Sequence, residues 1–246
     1  MEDRTLSKSN RTFSRLRFLS ETVVVIAVLW GGHTLINLIQ EWVGVRSIYI
    51  GVQGTWVAVA AAGLLMWLSR TRWREVGLRL PERWARTLAL VLMASVTYLA
   101  VSWSMTTAVL PSLGISVERS KAVDANYQSL IQGQPLQMAL MLVLVVWSAA
   151  AVGEELLCRG FLFNRFERVF ADMRFAIGLA LVMQALAFGV FHYKAGLPTV
   201  VSSTVAGLVF GGLYLATNRN LVACILAHGL VNTAYMTAYY FGGTLN

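Results

Sequence analysis

The chain predicts an all-α fold, a polytopic transmembrane helical bundle of about seven membrane helices, and three observations predict it. Of its 246 residues, 57% are hydrophobic and only 13% charged, with a mean hydropathy of +0.63. A soluble domain carries about 45–50% apolar and about 25% charged residues. The apolar residues gather into separate runs near the length of a bilayer crossing, and the lysines and arginines collect in alternate gaps between them. Four prolines and the want of a long polar tract exclude a disordered or collagen-like chain. A net charge of +8 invites a nucleic-acid partner, but charge in short clusters between apolar runs is membrane topology. The expected partner is the lipid bilayer, not nucleic acid.

The first run, 22–39, follows a basic stretch without an A-x-A-like cleavage site, so it reads as an uncleaved membrane helix after a basic cytoplasmic segment, 1–21. Runs 52–68 and 88–110 follow, the latter stopped by Pro111, and with their loops they fill 22–136. The fourth begins near Gln137, is apolar to Gly153, meets Glu154 and Glu155, and continues to Phe163. Runs 175–192, 198–217 and 221–240 complete the set, so that 137–240 is the region expected to carry the chemistry. Lipid tolerates no unpaired backbone, and a barrel would show short alternating segments, so the runs are helices.

Orientation follows from the basic residues. Sixteen of the 20 lysines and arginines lie before the first run, between the second and third, just after the acidic pair of the fourth, or between the sixth and seventh. That alternation predicts a multi-pass cell-membrane protein with a cytoplasmic amino terminus and a carboxyl terminus outside. Cys158 and Cys224 are too few for a disulfide scaffold and read as small buried hydrophobes. The eight tryptophans read mostly as interfacial anchors or lipid-facing bulk, and Gly207 with Gly211 has the spacing that lets membrane helices approach closely.

A charge at membrane depth costs about 2.5–3.5 kcal/mol on insertion scales, so Glu154 and Glu155 need a partner or a task. Glu155 can reach Arg159 one turn on, whereas Glu154 has only Leu157 and Cys158 at those spacings. His192 and His228 lie in later runs, with Asn232 one turn beyond His228, and His33 lies in the first. If the fourth and fifth runs form a hairpin turning near Asp172, Glu154 and His192 are both about 27–30 Å from its tip. His228 is about 14 Å from its own turn at Arg219, so the groups share a depth in the cytoplasmic half if the stretch 164–174 projects.

Three chemistries compete for such a set. Nucleophilic attack lacks support, since Ser148, Ser202 and Ser203 have no nucleophile motif and a carboxylate beside Cys158 disfavours a thiolate. Glu154, His192 and His228 match a zinc ligand set, though without HExxH. The third uses water without a cofactor. Partial drying raises a carboxylate's proton affinity and makes it a competent base and then acid. Glu154 can so serve, His192 can share the water, and His228 with Asn232 can donate to a developing oxyanion.

These residues resemble the CAAX protease and bacteriocin-processing family of intramembrane glutamic endopeptidases, whose pattern is EExxxR, then FxxxH, then HxxxN. Here it reads Glu154-Glu155-Leu156-Leu157-Cys158-Arg159, then Phe188 to His192, then His228 to Asn232. The resemblance implies cleavage of a membrane-associated or prenylated CAAX-type substrate by glutamate-activated water without an essential metal. It gives Glu154 as base, His192 as water-positioning partner, His228 and Asn232 as oxyanion hole, and Glu155 with Arg159 as supporting pair. Cys158 and the count of seven helices, where relatives look eight-helical, depart from the family. A non-enzymatic immunity or scaffolding role and proton-coupled transport are the competing classes.

Overall fold

The computed structural model describes residues 2–45 and 47–243, with side chains from Ser14 onward; Asn246, expected outside the membrane, lies beyond them. Helix α1 is Glu2–Val43, α2 is Gly54–Leu68 after a single turn Ile48–Gly51, and α3 is Trp84–Ser112. A polar helix, α4, Glu118–Ile131, precedes α5, Pro135–Val169. The last three are α6, Ala176–Phe191, α7, Leu197–Ala216, and α8, Leu221–Tyr240. Among the described residues there is no strand.

Among the described residues six helices are long and apolar enough to cross a membrane, one fewer than the sequence predicts. The difference is α6. Its apolar run, 175–192, includes Phe175 and His192, which cap the helix from outside, so only 16 residues are helical. At 1.5 Å per residue that is about 24 Å, short of a hydrocarbon core of about 30 Å. It is held instead by close packing on α7. A Cβ on Gly207 would lie 2.6 Å from Ala185 Cα and one on Gly211 would lie 2.4 Å from Leu181 Cδ1, which is why glycine stands at both places.

The end of the bundle that carries the arginine-rich loops is packed solid. Phe161, Phe163, Tyr214 and Leu221 are buried there, with the rings of Phe163 and Tyr214 edge to face. The loop after α2 docks onto them: the Tyr214 hydroxyl donates to the Val76 carbonyl at 2.7 Å and Leu221 N–H donates to the Gly77 carbonyl at 2.9 Å. Gly77 has φ of 104°, and a Cβ on it would strike the Arg219 carbonyl. Arg219 grips Glu167 through two bonds of 2.6 and 2.7 Å, fixing α5 against α8.

Part of the stretch expected to project is therefore packed. Arg165 is buried, paired with Glu21 of α1 at 2.7 Å and stacked on Phe161, while Arg168 and the turn at 171–175 are exposed. Both cysteines are buried and free. Several tryptophans turn inward rather than to lipid: Trp56 donates to Ser148 Oγ at 3.1 Å, and Trp147 lies against Gly229. Because α6 depends on its contact with α7, Gly207→Val should overpack that contact by about 1–3 kcal/mol and lower the melting temperature in detergent. Gly212→Ala, which faces open space, should leave the melting temperature unchanged.

Candidate active site

Helix α5 is wound as a π-helix over Met141–Glu154 and again over Leu156–Leu162, a form that recurs at functional sites. It carries the two glutamates and Arg159 at mid-helix. His228 stands nine positions after Arg219, which lies just before α8, and Glu167 stands twelve positions after Glu155 on α5. Yet Arg219 contacts Glu167 and His228 contacts Glu155, the wider π turns of α5 taking up part of the difference.

Glu155 is fully buried and accepts from Arg159 Nη1 at 2.8 Å, as its spacing predicts. It also contacts His228 Nδ1 at 2.9 Å, a partner the sequence does not reveal. A carboxylate already paired with a guanidinium accepts, so Nδ1 carries the proton and Nε2 of His228 points on toward Glu154, 3.9 Å from Oε2. That gap is too long for a hydrogen bond. Arg159 is itself enclosed: Nη2 donates to the carbonyls of Ala206 and Gly207 on α7, and its guanidinium lies 5.0 Å from the Phe188 ring centre. The guanidinium thus joins α5, α6 and α7.

Phe188 has a physical place in the FxxxH spacing. Its ring meets His192 edge-on at 5.0 Å and His228 at 6.0 Å, so one aromatic separates the two imidazoles. His192 caps α6, and its Nδ1–H donates to the Phe188 carbonyl at 2.9 Å. A carbonyl can only accept, so Nε2 of His192 is left with its lone pair. Gly229, next to His228, has no room for a side chain because Trp147 from α5 would meet its Cβ at 2.5 Å. The glycine lets α8 approach α5 closely enough for His228 to reach Glu155.

Glu154, His192, His228 and Asn232 all line one cavity of about 430 Å³. Glu154 is about a quarter exposed, and the Asn232 amide is uncommitted among the described residues. Other walls come from the first three helices and from α4: His33, Thr55, Tyr98, Asp124 and Tyr127. His33, the remaining histidine, contacts the Gly51 carbonyl through Nδ1 at 2.9 Å. The α4 residues escape a hydropathy scan because the helix is polar; Val123, Tyr127 and Leu130 at helical spacing are the signal that marks it.

Residues 136–234 match the family described as Type II CAAX prenyl endopeptidase Rce1-like. The match takes in Glu154, Glu155, Arg159, His192, His228 and Asn232. No curated protein and no solved structure matches the chain. Among the described residues no three His, Cys, Asp or Glu side chains are grouped to hold a metal ion.

The buried pair gives a test that needs no substrate. Arg159→Ala leaves the Glu155 carboxylate uncompensated, a loss of about 3–5 kcal/mol, and should lower the melting temperature by roughly 10 °C. Glu154→Gln, at the half-open wall of the cavity, should leave it nearly unchanged when the two variants are melted side by side in detergent.

Proposed function

We propose that this multi-pass membrane protein is an intramembrane endopeptidase that hydrolyses a peptide bond of a membrane-associated substrate, prenylated CAAX tails included, with water activated by Glu154. The observation that carries the reading is the convergence of one carboxylate, two oriented imidazoles and a free amide on a single cavity. The similarity over 136–234 supports it. The arginine-rich end of the bundle is taken as cytoplasmic from the 16 to 4 distribution of basic residues.

In this reading Glu154 takes a proton from water as the water oxygen bonds to the substrate carbonyl carbon, and the carbonyl oxygen becomes an oxyanion. The unprotonated Nε2 of His192 accepts the second water hydrogen as a hydrogen bond and so aims the oxygen. Asn232 donates its amide to the oxyanion. His228 can donate from Nε2 only when doubly protonated, since Glu155 already fixes a proton on Nδ1. As the tetrahedral intermediate collapses, the C–N bond breaks and Glu154 returns its proton to the leaving amine. Glu155 and Arg159 touch no reacting atom and act as positioning residues.

A zinc peptidase built on Glu154, His192 and His228 predicts different behaviour. Under the water mechanism, Glu154→Gln abolishes turnover in a folded protein and Asn232→Ala lowers kcat by about 10²-fold with little change in KM. Activity survives a strong chelator and exchange into metal-free buffer. Stoichiometric zinc, lost with activity and restored with it, would sink the glutamate mechanism.

A further inference from the structure

Among the described residues, those lining the cavity lead toward one end of the bundle and not the other. Toward the arginine-rich loops it stops at the buried layer of Phe161, Phe163, Tyr214 and Leu221, and no residue of those loops lines it. Toward the opposite end its walls are Ser120 and Asp124 of α4, Thr199 at the start of α7, and Tyr239 at the end of α8. There it meets a second, larger cleft of about 1120 Å³, sharing with it Trp30, His33, Val52 and Phe191.

That cleft lies where α1 parts from the α6–α7 turn, while the same half of α1 stays bound to the α1–α2 connection through His33 on the Gly51 carbonyl and Gln40 on Ser47 N–H. Near the arginine-rich loops Glu21 holds Arg165, and Arg15 holds Asp172. At the far end the ring of Trp30 on α1 meets that of Tyr193, in the turn after α6, at 5.6 Å, and beyond them the two elements part. The far walls are polar and chemically mixed: Asn37, Gln40 and Glu41 of α1 face Asn126 of α4 and Lys194 of the α6–α7 turn. Amides and opposite charges beside the apolar Trp30, Ile48, Val52 and Phe191, along a wide slot, suit the alternating polar backbone and side chains of an extended polypeptide.

We infer that the substrate is an extended peptide segment presented from the side of the membrane opposite the arginine-rich loops, the extracytoplasmic face, and that it reaches Glu154 through the cleft between α1 and the α6–α7 turn. Trp30 and Tyr193 form the narrows between the outer cleft and the inner cavity. The inference rests on the hydrolase reading above and narrows its substrate to exported peptides or outward-facing segments of membrane proteins. Prenylated cytoplasmic tails fall outside it.

Two measurements on the full chain in whole cells test it, and only the second depends on catalysis. Single cysteines Asn37→Cys and Tyr193→Cys, both at exposed positions, and Glu75→Cys in the arginine-rich loop are treated with a membrane-impermeant maleimide before and after the membrane is opened. The two buried native cysteines supply the background. Asn37→Cys and Tyr193→Cys should react in intact cells, and Glu75→Cys only after opening. Peptide termini are then compared between cells carrying the wild type and Glu154→Gln. The termini lost in the variant should lie on extracytoplasmic segments. Labelling of Asn37→Cys and Tyr193→Cys only after opening would overturn the inference, as would lost termini on cytoplasmic tails. Outside labelling with no terminus lost would instead strike the hydrolase reading, and the substrate with it, while leaving the outward-facing cleft in place.

Discussion

The carboxylate of Glu155 is withdrawn completely from solvent and still holds two partners, Arg159 on its own helix and His228 on α8. An ionised group so placed is stable only while its counter-charge stays put, because the cost of an uncompensated buried charge exceeds what either contact contributes alone. Arg159 in turn spends its other donors on the carbonyls of α7 and its face on Phe188 of α6. Four helices therefore meet at one ion pair. The orientation of His228 is a by-product of that arrangement, and so is the position of Phe188 between the two imidazoles.

This makes the division of labour between adjacent glutamates intelligible. They differ by one position in sequence and by nearly everything in environment: Glu155 is sealed in with a guanidinium, while Glu154 faces the cavity, its nearest ring nitrogen among the described residues being His228 Nε2 at 3.9 Å. Two carboxylates in different surroundings can take different roles, one structural and one chemical. The glycines complete the pattern. Gly207 and Gly229 stand where a helix backbone must come close enough for a neighbour's side chain to reach the pair, against Ala185 in one case and Trp147 in the other.

Much of this was legible in the residues, and what was not has identifiable causes. The helical class, the pairing of Glu155 with Arg159 and the close packing at Gly207 and Gly211 follow from hydropathy, from a spacing of four and from small residues one turn apart, all of them local signals. The contact between Glu155 and His228 spans 73 residues and belongs to packing between helices, where sequence spacing is silent. The short α6 reads as a crossing because Phe175 and His192 are as compatible with an apolar run as the helix they cap. Helix α4 leaves no apolar run because it is polar, although it walls the cavity. The π winding of α5 leaves no mark in composition at all.

The aromatic layer at the arginine-rich end does more than fill space. A water-filled cavity that reached through a membrane protein would short-circuit the gradient across that membrane, and Phe161, Phe163 and Tyr214 stand where the leak would pass. With that layer dry, the electrical potential falls across the aromatic rings and not along the cavity, each elementary charge being worth about 2.3 kcal/mol per 100 mV. Glu154 then meets the solutes of one compartment only, the one at the open end, and is insulated from the other by a layer of packed side chains.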